Sequence, residues 1–263
     1  MFRRCLLGFR RRLLWIACAV LAPVAMLPAQ TGPLRIAAAA DLQPVLPALI
    51  AKFEAATRTR VAVSYASSAT LATQILNGAP YDLFLAANRA FPEKIVAAKL
   101  ALEPQPVTYA RGVLVLWAGR GILHDPLTMP SLTDASVHRI AVANPVHAPY
   151  GAAAMAAIRT LGLSKALQPK LVFAENVAQA AQFAQSGNAE CGLISKTIAI
   201  TQPMQSAGRF VVVPASAYPP LEQGAVVMRN AAQGKAAIAF LGYLQSPTGR
   251  ALLVARGLEA PTE

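Results

Sequence analysis

Four short segments of this 263-residue chain combine residue types and positions that could hold an anion. They are Ala39-Ala40-Asp41-Leu42, Ala66-Ser67-Ser68-Ala69-Thr70, Ala148-Pro149-Tyr150-Gly151 and Glu175-Asn176-Val177. In each, a strand-like run ends in small or polar residues and a helical pattern starts at once. The first turn of a helix offers N–H groups without intrahelical acceptors and a partial positive charge, so it can bind an anion with no formal cation. Ligands of α/β sheets also bind beyond the carboxyl ends of strands. Two such starts from each of two lobes, facing one cleft, would surround a small dianion with backbone donors and a few hydroxyls.

Other chemistries find less support. The histidines, His124, His138 and His147, form no HExxH-type spacing, which leaves zinc-hydrolase chemistry without a motif. No GxSxG elbow surrounds any serine, although an exported hydrolase using Ser68 with a histidine remains an alternative. No GxxxxGK[ST] loop occurs, so nucleotide hydrolysis would belong to a partner. Taken singly, the candidate residues have plainer readings. Ser67, Ser68 and Thr70 suit a helix cap, Tyr150 a surface aromatic, Val177 a core position and His147 a loop. Asp82 suits a turn or strand edge, while Cys191 and Trp117 read as core.

Five segments together carry a family resemblance. Ala37–Leu42 (AAAADL), Tyr65–Leu71 (YASSATL), Gly78–Phe84 (GAPYDLF), Asn144–Gly151 (NPVHAPYG) and Ala174–Ala178 (AENVA) follow in order through the chain. In this respect it resembles the periplasmic molybdate-binding proteins of ABC transporters. The resemblance implies a type II periplasmic-binding fold, α/β, with two lobes that are each a mixed sheet flanked by helices. It implies molybdate or tungstate held in the interlobe cleft by uncharged donors, with no cofactor, no direct metal ligand and no catalysed reaction. By the same resemblance Ser68 supplies a hydroxyl and an N–H, while Tyr150 and Val177 supply main-chain N–H groups. Asp41 occupies the first binding position, and Ser195 a position where some members place a tyrosine. Asp41 departs from the pattern, since a carboxylate repels an oxyanion. It is expected to cap its own helix or meet a cation, Lys196 being a candidate. The implied partner is a membrane permease with a cytoplasmic ATPase; sulfate, another oxyanion, an organic acid or delivery to a membrane receptor are the alternatives.

The elements that would position these residues follow from periodicity. Apolar runs of strand length alternate with helical stretches, the pattern of α/β proteins. Strands are expected at 34–38, 60–65, 82–86, 113–117, 139–143, 170–174, 191–194 and 224–228. Leu42, Val45, Leu46, Leu49, Ile50 and Phe53 share one helical face, with Asp41 as N-cap and Pro47 expected to bend the helix. Further helices are expected at 70–76, 152–161 and 177–185, ended by Gly78, Gly162 and Gly187. A last one opens at Ser246-Pro247 and ends at Gly257.

The first 29 residues read as a secretory signal: Arg3, Arg4, Arg10, Arg11 and Arg12, then an apolar run from Leu13 to Leu27, then Leu27-Pro28-Ala29. The leader holds five of the 24 Lys and Arg and no acid, leaving 19 bases against 12 acids, or +7. These bases are scattered singly, without the clustering of a nucleic-acid surface. Cys5 and Cys18 lie in the leader, so a mature chain has Cys191 alone and no internal disulfide. The expected organisation is a leader at 1–29, a first lobe at 30–112 and 218–263, and a second at 113–217, in an exported monomer.

Overall fold

In the computed structural model, residues 32–261 are described; the expected leader, with Cys5 and Cys18, lies outside them. The first half of the described chain runs β1 (Leu34–Ala39), α1 (Leu46–Thr57), β2 (Val61–Ala66), α2 (Ser68–Leu76), β3 (Leu83–Ala86), α3 (Ala90–Ala97) and β4 (Val107–Gly112). The chain then builds a second sheet from β5 (Leu114–Gly119), β6 (Ile140–Ala143), α4 (Pro149–Thr160), α5 (Ser164–Leu167), β7 (Leu171–Ala174), α6 (Val177–Gln185) and β8 (Cys191–Ser195). Two short helices, α7 (Lys196–Ala199) and α8 (Gln202–Ala207), precede its last strand, β9 (Gly208–Val212). β10 (Leu221–Val227) returns to the first sheet, followed by α9 (Gly234–Gln245) and α10 (Pro247–Ala255).

The two sheets share one plan. The first has the order β2-β1-β3-β10-β4 and the second β7-β6-β8-β5-β9. In the first, β1 pairs in parallel with β2 and β3, and β10 runs antiparallel between β3 and β4. In the second, β6 pairs in parallel with β7 and β8, and β5 runs antiparallel between β8 and β9. The crossover between sheets at Gly112–Leu114 is short. A Cβ on Gly112 would lie 2.4 Å from the Tyr150 hydroxyl, so only glycine lets that side chain in.

Covered strands need apolar residues on both faces, and β3 and β6 are buried throughout. Under the first sheet, α1 and α9 meet through Phe53 and Phe240, whose rings stand edge to face at 5.0 Å. The second core includes Trp117, whose Nε1 donates to the Met204 carbonyl, and Cys191, whose thiol burial pushes up to about 12. Asp82 does more than edge a strand. Fully buried, it accepts from the backbone N–H groups of Arg35 and Gln233, tying the start of β1 to the start of α9.

Two local expectations are corrected. The helix holding Leu49 and Phe53 starts at Leu46, not beside Asp41, because Ala40–Leu42 forms a separate 3-10 turn. Pro47 therefore lies in the first turn, where its missing N–H costs no intrahelical bond, and it does not bend the helix. The strands β4 and β9 and the helices α3, α5, α7, α8 and α9 have no counterpart among the expected elements. α9 is apolar on most sides, and its Ala- and Gly-rich stretch hides the helical period.

Candidate functional site

The two sheets aim their strand ends at one place. A cavity of about 10 Å3 is lined by Ala39, Ala40 and Asp41, by Ala66, Ser67 and Ser68, by Ala87, by Ala148, Pro149 and Tyr150, and by Asn176 and Val177. These are the ends of β1, β2 and β3 in the first lobe, and the starts of α4 and α6 in the second. All four sequence segments thus converge on it. Side-chain caps hold two helix starts in place. Ser67 Oγ accepts from the Thr70 N–H at 3.2 Å, and Asn176 Oδ1 accepts from those of Ala178 and Gln179, each at 3.0 Å.

Those caps leave other first-turn amides for a ligand. Ser68 and Val177 are the first residues of α2 and α6, and Tyr150 the second of α4, so none of their N–H groups has an acceptor within its own helix. Ser68 adds a hydroxyl. Its Oγ accepts from the Ala87 N–H at 3.1 Å, so its own proton remains to be donated. The α4 start can approach because position 151 is glycine: a Cβ there would lie 2.1 Å from the Ala143 carbonyl oxygen.

The lobes touch around the cavity. The Ala69 N–H donates to the His147 carbonyl at 3.1 Å, Thr70 Oγ1 donates to Glu175 at 3.2 Å, and Thr197 Oγ1 donates to the Asp41 carbonyl at 2.7 Å. His147 thus contributes through its backbone.

Asp41 departs from expectation. Its side chain caps no helix and meets no cation; among the described residues no lysine, arginine or histidine is in ion-pair contact with it, and Lys196 is engaged through its backbone N–H with Val113. Instead Oδ2 accepts from Gln223 Nε2 and from the Tyr150 hydroxyl at 3.3 Å. Tyr109 donates to Gln223 Oε1 at 2.7 Å, which fixes the amide so that its N–H faces Asp41. Oδ1 is buried with no hydrogen-bond partner. Burial of the whole residue raises its carboxyl to about 6, against the lowering pull of the Gln223 and Tyr150 hydrogen bonds.

Ser195 is not among the cavity-lining residues. Fully buried, it sits 2.8 Å from Thr197 Oγ1, whose proton goes to the Asp41 carbonyl, so Ser195 must donate to Thr197. It supports the Asp41 turn from behind. A serine is too short to reach where a tyrosine would. Gln223, Tyr109 and Thr197 were missed from sequence; a glutamine within the apolar run Leu221–Val227 was the one readable sign. No group of three or more His, Cys, Asp or Glu among the described residues could hold a metal ion.

Comparisons with known proteins place the chain in a family. Residues 34–259 match the family model described as bacterial extracellular solute-binding protein. The molybdate-binding protein ModA of Azotobacter vinelandii is 34% identical over 230 residues, 87% of this chain and 90% of that protein. ModA of Rhodobacter capsulatus is 35% identical over 84% of this chain and 86% of its own length. The solved periplasmic molybdate-binding protein of Azotobacter vinelandii superposes with a TM-score of 0.81 at 32% identity, covering 87% of this chain and all of that one. The two mixed five-stranded sheets flanked by helices are its type II periplasmic-binding fold. The chain belongs to the molybdate-binding protein family of bacterial extracellular solute-binding proteins.

Proposed function

We propose that this protein captures molybdate, and tungstate with it, outside the cytoplasm and delivers it to the membrane permease of an ABC transporter. The observation that carries the reading is the convergence of helix starts from both lobes on one small cavity offering uncharged donors. The ligand-binding set is Ser68, through hydroxyl and N–H, the main-chain N–H groups of Tyr150 and Val177, and Asp41; Ser195 acts indirectly. The protein contacts would be to the oxygens of the anion, never to its metal.

At about 10 Å3 the cavity admits roughly one water-sized body, so even a tetrahedral dianion requires the lobes to stand slightly further apart. Lobes at 30–112 with 218–263 and at 113–217, hinged near Gly112 and Tyr218, would provide that motion. The protein would act as an exported monomer with residues 1–29 removed, catalysing no reaction. Among the described residues no helix is long and apolar enough to cross a membrane. Molybdate, tungstate and sulfate are all tetrahedral dianions, so cavity size would have to separate them. Calorimetry with the three salts tests the reading: molybdate and tungstate should bind far more tightly than sulfate, and tight sulfate binding with no molybdate heat would overturn it.

A further inference from the structure

A carboxylate is an awkward neighbour for a dianion. Asp41 lines the cavity, is fully buried, and keeps one oxygen without a partner. The two side-chain donors to this carboxyl, Gln223 Nε2 and the Tyr150 hydroxyl, converge on Oδ2. A proton on this carboxyl therefore belongs on Oδ1, because Oδ2 already accepts two hydrogen bonds. Protonation turns the unpartnered oxygen from an acceptor that repels an anion into a donor that can bind one.

We propose that Asp41 is a proton-holding ligand: on capture of the oxyanion its carboxyl takes up one proton from solvent and donates a hydrogen bond from Oδ1 to an anion oxygen, which couples affinity to pH. This rests on the oxyanion reading above. No covalent bond of the anion changes; the only transfer is one proton from water or buffer to Asp41.

The surroundings favour the neutral carboxyl. The groups facing Asp41 are Tyr150 from α4, Gln223 from β10 with Tyr109 of β4 behind it, Ser67 and Ser68 from the α2 start, and Asn176 and Val177 from the α6 start. Thr197 of α7 meets only its carbonyl, and Tyr218 faces Tyr150 more remotely. All these side chains are neutral, so no formal cation compensates an ionised Asp41. Burial already holds its proton to about pH 6, and a dianion in contact would hold it to higher pH still.

The test is titration calorimetry of the full mature protein with sodium molybdate, from about pH 6 to about pH 8.5, in buffers of different ionisation enthalpy. Wild type should take up close to one proton per anion near the top of that range. Its affinity should tighten by up to about tenfold per unit of pH decrease and level off below about pH 6. Asp41→Asn, whose amide can donate where Oδ1–H would, should bind with no proton uptake and with an affinity that does not vary with pH. Asp41→Ser, run beside it, should likewise be pH-independent. Wild-type affinity that is flat with pH and free of proton exchange would overturn the proposal. So would loss of binding in a folded Asp41→Asn, since the carboxylate would then be needed as an acceptor. Absence of molybdate heat in wild type and both variants at every pH would instead remove the oxyanion reading, and this inference with it.

Discussion

Tyr150, on the first turn of α4 in the second lobe, reaches across the cleft to donate its hydroxyl to Asp41 Oδ2, 3.3 Å away at the end of β1 in the first. The contact joins the lobes at the cavity, while the Tyr150 main-chain N–H sits at the helix start on the same wall. On the proposed binding, side chain and backbone of this one residue serve different ends. Tyr150→Phe should separate them. The N–H stays, so molybdate affinity at low pH should change by less than about tenfold, within the worth of one neutral hydrogen bond. Loss of a donor to the carboxylate should also move the pH dependence of binding to higher pH, because that hydrogen bond lowers the Asp41 carboxyl. Calorimetry across pH reads both.

Stability should report the same buried carboxyl without any ligand. A folded-state value of about 6, raised above the unfolded one, favours the fold fully below the unfolded value, and this advantage is lost as pH rises through about 6. For this fully buried group the loss is on the order of 3 kcal/mol between about pH 4 and pH 7. Asp41→Asn has no such term. It should be more stable than wild type near pH 8 in urea melts, with the difference shrinking toward pH 4. Equal pH profiles for the two proteins would show that Asp41 stays ionised at little cost.

The starts of α2, α4 and α6 were legible in the sequence because each needs only local marks: a strand-like run, small residues, then a helical period. The fold class followed from the same alternation. What could not be read was the Asp41 network. Gln223 lies 182 residues from Asp41 and Tyr109 lies 114 from Gln223, and such pairings depend on β10 returning beside β4, which no local pattern encodes. The expectation that Asp41 caps its own helix failed for a related reason. Pro44 and Pro47 shift the helix start to Leu46, leaving the carboxylate free to turn inward.

Glycine at position 151 sets how closely α4 seats against β6. Gly151→Ala would place its Cβ 2.1 Å from the Ala143 carbonyl oxygen and 2.7 Å from its carbonyl carbon, both backbone atoms that cannot swing away. The helix start must move instead, and with it the Tyr150 N–H. The variant should lose about 1–3 kcal/mol of stability, as overpacked sites do, and bind molybdate more weakly. Urea melts and calorimetry on the same preparation check this; unchanged affinity would mean that the α4 start is not part of the binding surface.

On the proposed binding, Ser68 carries two duties that one substitution removes together. Ser68→Ala deletes the hydroxyl proton available to an anion, and it also strips the Ala87 N–H of its acceptor 3.1 Å away. A hydrogen bond to a charged partner is worth about 1.5–3 kcal/mol, so molybdate affinity should fall roughly 10- to 100-fold. Ser68→Thr should restore part of it if the added methyl finds room. An unchanged affinity in Ser68→Ala would remove the hydroxyl from the ligand set.

Val177 offers the cleanest separation of a backbone donor from its side chain. It is the first residue of α6, a position where proline is favoured because its ring is already set for the helix and its missing N–H would have been unpaired there. The preceding Asn176 is extended, at φ −149° and ψ 175°, as a residue before proline should be. Val177→Pro should therefore fold, losing only the packing of a buried valine, yet present no amide to the cavity. Val177→Ala keeps the amide and loses comparable packing. Calorimetry should find the alanine variant close to wild type and the proline variant weakened roughly 10- to 100-fold. Equal affinities in the two would mean that the α6 start binds nothing, and that the anion is held from fewer directions than the converging helices suggest.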